Sequence, residues 1–139
     1  MRIAALGECM VELSSSGPDS YALAFGGDTL NTSLYLARQG MNVDYVTALG
    51  DDHLSTRMLR QWQDENIGTS LVMQVPGRMP GLYMIERNAV GERSFFYWRD
   101  RAPARELFQR ADAETLEKLS QYDWLYFSGI TLSLYGEQA

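Results

Sequence analysis

One cysteine, Cys9, is all that the 139 residues contain, so no internal disulfide can form and a reducing compartment is expected. Histidine is equally scarce: His53 stands alone, which makes a histidine metal cluster or a Ser-His-Asp triad hard to build. No stretch approaches the roughly 18 apolar residues of a membrane-spanning helix. The apolar start, Met1 to Leu6, is too short for a secretory signal and Glu8 soon follows it, so a cytoplasmic location and no membrane partner are expected. Positive charge is in the minority, 12 Lys and Arg against 18 Asp and Glu, and the net charge of −6 argues against a nucleic-acid partner. An acidic whole still leaves room for a locally basic small-molecule site. Repeats and low-complexity segments are absent. What remains is ordinary for a globular domain, 45% hydrophobic and 22% charged, with a length that suits one domain.

Ile3 to Leu6 read as a short buried strand ending at Gly7, and Cys9 to Leu13 as an alternating extended segment. Ser14 to Asp19 reads as a loop and Tyr21 to Phe25 as another short strand. Asp28 to Gln39 is helical in pattern, with Leu30, Leu34 and Ala37 on one face and Gly40 as the stop. Val43 to Leu49 is a strand, and Leu54 to Glu65 a helix whose Leu54, Met58 and Trp62 recur every fourth residue, a core stripe. This alternation predicts an α/β domain with a mainly parallel sheet. Ser70 to Val75, Gly81 to Arg87 and Arg93 to Trp98 are rich in β-formers and predict an antiparallel insertion, with Asn88 to Glu92 as a hairpin connection. Ala113 to Leu119 reads as a helix, Tyr122 to Phe127 as a buried strand, and Ile130 to Tyr135 as the start of a helix.

The chemistry concentrates in a few places. In Gly26-Gly27-Asp28-Thr29-Leu30-Asn31, two glycines run into a helix start, Asp28 or Thr29 can cap it, and Asn31 sits one turn in with an amide that both donates and accepts. This suits a small polyhydroxylated ligand. A plain turn with a cap explains the glycines and Asp28 but does not need Asn31. Neither the dinucleotide fingerprint nor a P-loop is present. Tyr83, Ile85 and Arg87 share one strand face, Tyr97 and Arg99 one face of the partner, with Phe96 and Trp98 opposite. Two tyrosines and an arginine can bind a carboxylate and hydroxyls, although an ordinary half-exposed sheet looks the same. Glu8 and Glu12 lie near the end of the first strand, where open α/β sheets bind ligands; a hydroxyl acceptor and a solvated edge residue are equally consistent with Glu12. Ser128 lacks the elbow motif and the histidine of a nucleophile, and Cys9 reads as a small buried residue.

Together these segments resemble the ribokinase-like (PfkB) carbohydrate kinases. The likeness is carried by Gly26-Gly27, Asn31, Ser33, Gly40 and Gly50 at the family's spacing, with Thr29 where a small residue is usual. It extends to Gly7-Glu-Cys-Met-Val-Glu-Leu-Ser14, Gly81-Leu-Tyr83, Phe96-Tyr-Trp-Arg99 and Tyr126-Phe-Ser-Gly-Ile130, which point to the branch acting on a keto-deoxy sugar acid. The resemblance implies a ribokinase-like, mainly parallel sheet flanked by helices, with a small antiparallel β lid at about residues 8–25 and 70–100. It implies ATP-dependent phosphorylation with Mg²⁺ on the phosphates. Gly26, Gly27, Asp28 and Asn31 are then sugar contacts, Glu12 an acidic sugar contact, and Tyr83, Tyr97 and Arg99 the holders of the acid. The family's Gly-x-Gly-Asp, which supplies the catalytic base and an anion hole, does not occur in these residues. The expectation is therefore an N-terminal portion of one kinase domain, without the base or the nucleotide site, inactive alone and associating with itself through the lid or an exposed sheet. A kinase for a neutral sugar such as fructose, or a non-catalytic sugar-binding or assembly unit, remain the alternatives.

Overall fold

Two four-stranded sheets organise the chain in a computed structural model, which describes residues 1–135. The first sheet runs β5 (Val72–Val75), β4 (Asn42–Gly50), β1 (Arg2–Leu6), β8 (Trp124–Tyr126), all parallel. Parallel strands need crossovers, and helices supply them. These are α1 (Asp28–Arg38), α2 (His53–Asp64), the short α3 (Leu107–Arg110) and α4 (Ala113–Ser120); α5 (Gly129–Tyr135) follows β8. β4 is buried from Val43 to Gly50, as a central strand covered on both faces must be. Its side chains alternate between two cores. Val43, Tyr45 and Leu49 join Ile3, Leu30, Met58 and Trp62 on one face, while Val46 and Ala48 join Leu6, Leu107, Leu119 and Leu134 on the other. Tyr45 meets Trp62 edge to face at 5.0 Å.

The Met58 and Trp62 stripe is core, as its four-residue spacing predicts. α2 starts at Asp52, whose Oδ1 accepts from the Leu54 and Ser55 amides at 2.8 and 3.3 Å. α1 starts differently from expectation. Its cap residue is Gly27, with no side-chain cap; Asp28 is the first helical residue and Thr29 turns inward to Tyr45 Oη at 3.0 Å. Asp28 in the first turn still complements the helix dipole. Gly40 takes a φ of +79° just past α1, the left-handed stop that its position predicts.

The second sheet runs β3 (Ser20–Gly26), β2 (Met10–Gly17), β6 (Leu82–Arg87), β7 (Arg93–Trp98). Its outer pairs are antiparallel hairpins, but the central pair β2–β6 is parallel, so the sheet is mixed. Residues 14–17, expected in a loop, extend β2, and the reversal is confined to Pro18 and Asp19, the latter at φ +55°. The segment from Ser70 to Val75 does not join this insertion: β5 pairs with β4 in the first sheet. The strand expected buried at Tyr122 to Phe127 is a three-residue edge strand with Trp124 64% exposed, because among the described residues it has a neighbour on one side only. A 3₁₀ turn at Pro103–Glu106, entered through Pro103, and α3 behind it lie where no element was anticipated.

Candidate functional site

The two sheets meet where β1 hands over to β2 through Gly7, Glu8 and Cys9, and where β3 hands over to α1 through Gly27. Register decides what gathers there. β2 sets Glu12 beside Tyr83 of β6, and Met10 beside Gly26 of β3. Tyr83 Oη donates to Glu12 Oε2, and Ser14 Oγ donates to Glu12 Oε1 at 2.8 Å. Burial, and then the Glu12 carboxylate, push the Tyr83 phenol well above the usual tyrosine range. Gly26 makes the space: a Cβ there would run into Tyr83 Oη and approach Glu12 Oε2 to 3.3 Å. Tyr83 also faces Tyr97 across the β6–β7 pair, with ring centroids 6.1 Å apart.

Arg99 follows β7 directly and reaches back to the other junction. Its Nη2 donates to Glu8 Oε2, forming an ion pair whose glutamate side chain is 3% exposed. Burial raises the Glu8 carboxyl above its ordinary value, and Arg99 opposes that rise. Gly27, Asp28, Tyr97 and Arg99 line a cavity of about 100 Å³ together with Glu8 and Thr131. An adjoining cavity of about 570 Å³ is lined by Tyr97, Arg99, Arg105 and Ser133 among others. Gly27 lets the helix start pass close to the β1–β2 link, since a Cβ would run into the Glu8 carbonyl oxygen.

Seven of the eight sequence-derived candidates thus fall into two adjoining groups: Glu12, Gly26 and Tyr83 in one, and Gly27, Asp28, Tyr97 and Arg99 in the other. Asn31 stands on the exposed side of α1 one turn further on and is not among the residues lining these two cavities. Glu8, placed by the sequence near the ligand-binding end of the first strand without a partner, is the partner of Arg99. Its place immediately after a strand-ending glycine was the available signal. Thr131 carried none; its hydroxyl donates to the Leu6 carbonyl at 3.0 Å and ties α5 to β1. Ser128 Oγ accepts from the Thr131 amide at 3.2 Å, which makes it a helix cap. Cys9 is buried, and burial with the adjacent Glu8 pushes its thiol far up, so it is an inert core residue.

Among the described residues no helix is long and apolar enough to cross a membrane. No group of three or more His, Cys, Asp or Glu is placed to hold a metal ion there either.

The family model described as pfkB family carbohydrate kinase matches residues 2–138. A 2-dehydro-3-deoxygluconokinase of Escherichia coli strain K12 is 49% identical over 138 residues, 96% of this chain and 44% of that protein. A 2-dehydro-3-deoxygluconokinase of Dickeya dadantii is 47% identical over 137 residues, 95% of this chain and again 44% of that protein. The chain therefore spans less than half the length of the curated relatives it matches. The crystal structure of a 2-dehydro-3-deoxygluconokinase from Thermotoga maritima superposes with a TM-score of 0.83 at 25% identity, over 99% of this chain and 44% of that one.

Proposed function

The chain belongs to the pfkB family of carbohydrate kinases, and from that we propose that it supplies the sugar site of a kinase that phosphorylates 2-dehydro-3-deoxy-D-gluconate with ATP and Mg²⁺. The observation that carries the substrate class is the placement of Arg99: a guanidinium on a cavity wall beside Tyr97, Gly27 and Asp28. Guanidinium matches a carboxylate bidentately, and a neutral sugar does not require it. Glu12 and Tyr83, joined next to Gly26, offer paired donor and acceptor groups for sugar hydroxyls. Asn31 is the eighth proposed contact, reached by a ligand that extends along α1. The second sheet, residues 10–26 and 82–98, serves as the lid over this site. Its exposed Phe96 and Trp98, on the face opposite Tyr97, are the surface proposed for self-association.

Neither ATP nor Mg²⁺ fits the residues on hand. There is no glycine-rich loop followed by Lys and Ser/Thr and no Gly-x-Gly-Asp in the sequence, and the described residues hold no metal-ligating cluster. The proposal for these 139 residues is accordingly sugar binding without phosphoryl transfer. A coupled ADP-release assay on a protein spanning the relatives' full length tests the activity. Turnover of the keto-acid sugar is expected; turnover of fructose or ribose in its place sinks the substrate assignment. Calorimetry of the present chain with the keto-acid sugar tests the site, and no heat at millimolar ligand favours a pure assembly role.

A further inference from the structure

The Glu8–Arg99 pair satisfies only part of its own hydrogen-bonding capacity. Glu8 Oε2 is taken by Arg99, yet Glu8 Oε1 and Arg99 Nε are both buried and have no partner among the described residues. Buried polar groups left unpaired are costly and rare. Both residues line the smaller cavity, so an occupant of that cavity is placed to relieve them. The occupant must offer an acceptor to the guanidinium and a donor to the carboxylate. A carboxylate alone meets only the first need and is repelled by Glu8. A carboxylate whose own carbon also bears a hydroxyl meets both.

We infer that Glu8 determines specificity by accepting a hydrogen bond from a hydroxyl on the carbon that carries the ligand's carboxylate, while Arg99 holds the carboxylate. The inference rests on the sugar-acid reading above and narrows it. Glu8 is suited to this because its surroundings fix it. Gly27 brings the helix start against its carbonyl, and the bare Gly81 leaves space beside Oε1, where a Cβ would come within 2.8 Å. In the open-chain keto acid the carbon next to the carboxylate bears a carbonyl, an acceptor facing an acceptor. Ring closure changes that: a hydroxyl of the sugar adds across the carbonyl, a C–O bond forms as the C=O π bond breaks, and the hydroxyl proton ends on the former carbonyl oxygen. The site therefore selects the ring form of the keto-acid sugar.

Two stable probes separate the hydroxyl from the rest of the ligand: 3-deoxy-D-gluconate, which has the hydroxyl, and 4,5,6-trihydroxyhexanoate, which lacks it. Calorimetry on the 139-residue chain is expected to give at least about tenfold tighter binding of the first, the scale of a hydrogen bond to a charged group. Glu8→Met, similar in length and without an acceptor, should bring that ratio to within about twofold. Freeing Arg99 changes the affinity for both carboxylates alike, so the ratio reports on the hydroxyl alone. Gly81→Ala guards against a folding failure: its Cβ comes within 2.8 Å of Glu8 Oε1 and within 3.1 Å of Arg99 Cβ and Met10 Cγ, so it displaces the far end of the Glu8 side chain most, keeps both charges, and should also lower the ratio with an unchanged circular dichroism spectrum. Equal binding of both probes to the unaltered chain, or a ratio unmoved by both substitutions, overturns the role of Glu8 and leaves the sugar-acid reading standing. Failure of either probe and of the keto-acid sugar to bind overturns both.

Discussion

β4 and β7 each carry four β-branched or aromatic residues and end in opposite environments. Val43 to Gly50 of β4 are all buried, whereas all six residues of β7, Phe95, Phe96, Tyr97 and Trp98 included, are exposed. β4 lies between β5 and β1 with a core cluster on each face; β7 is the last strand of its sheet. Position in the sheet, not apolar content, decides burial, because only a strand with neighbours and covered faces loses contact with water. The first sheet is consequently where stability resides, and the second is where large aromatic side chains are left exposed.

The largest test of that division is a pair of tryptophans. Trp62→Ala removes a fully buried side chain under the first sheet and should cost about 3–5 kcal/mol by urea unfolding. Trp98→Ala, on the second, should cost under about 1 kcal/mol. Similar losses from the two would erase the distinction. Next in size is Arg99→Ala. Affinity for the keto-acid sugar is expected to fall about 100-fold, as for truncating one member of a desolvated charge pair, while any affinity for fructose changes by less than about threefold.

The same substitution exposes a pH signature. Glu8 has a folded-state pKa raised above its ordinary value, so the native state holds its proton more tightly than the unfolded chain does. Its contribution is full at pH values below the ordinary carboxylate range and is lost as pH rises through the folded value. Removing Arg99, which opposes the rise, extends that window upward. Unfolding midpoints followed from pH 4 to pH 8 should thus decline more steeply in Arg99→Ala than in the parent; parallel curves would show that Glu8 does not feel the loss. A smaller effect, about 1 kcal/mol, is expected for Asp52→Ala through loss of the α2 cap, read by thermal melting. The smallest is Phe96→Ser on the outer strand, within about 0.5 kcal/mol of the parent in stability, with solubility improved if that face self-associates.

Much of the first sheet was legible because its signals are local. The stripe of Met58 and Trp62, the Gly40 stop and the β-branched and aromatic residues of β4 each follow from periodicity, propensity or a single special residue. What was not legible depends on partners distant in sequence. Nothing within Ser70 to Val75 says that it pairs with β4 rather than with the following hairpin. Trp124 and Leu125 read as buried by composition and are exposed because, among the described residues, β8 pairs on one side only. The site shows the same boundary. Gly26, Gly27 and Arg99 stand out by residue type, but that Glu8 and Arg99 form a pair across 91 residues is visible only in three dimensions. Asn31 shows the converse, a residue singled out by chemistry that stands exposed on α1 and outside the lining of these two cavities.

The parallel pairing of β2 with β6 has a consequence for the order of assembly. It joins Glu12 to Tyr83 over 71 positions of chain, so the second sheet closes only after a long loop has been brought together. Non-local pairing of this kind slows folding, whereas the β2–β3 and β6–β7 hairpins can form early on their own. The second sheet is expected to knit last, on a first sheet already in place. Pulse-labelled hydrogen exchange should find β4 protected before the β2–β6 seam, and simultaneous protection would refute that sequence of events. The nascent chain would then bring Glu12 against Tyr83 in the final step of folding, as two finished hairpins align side by side.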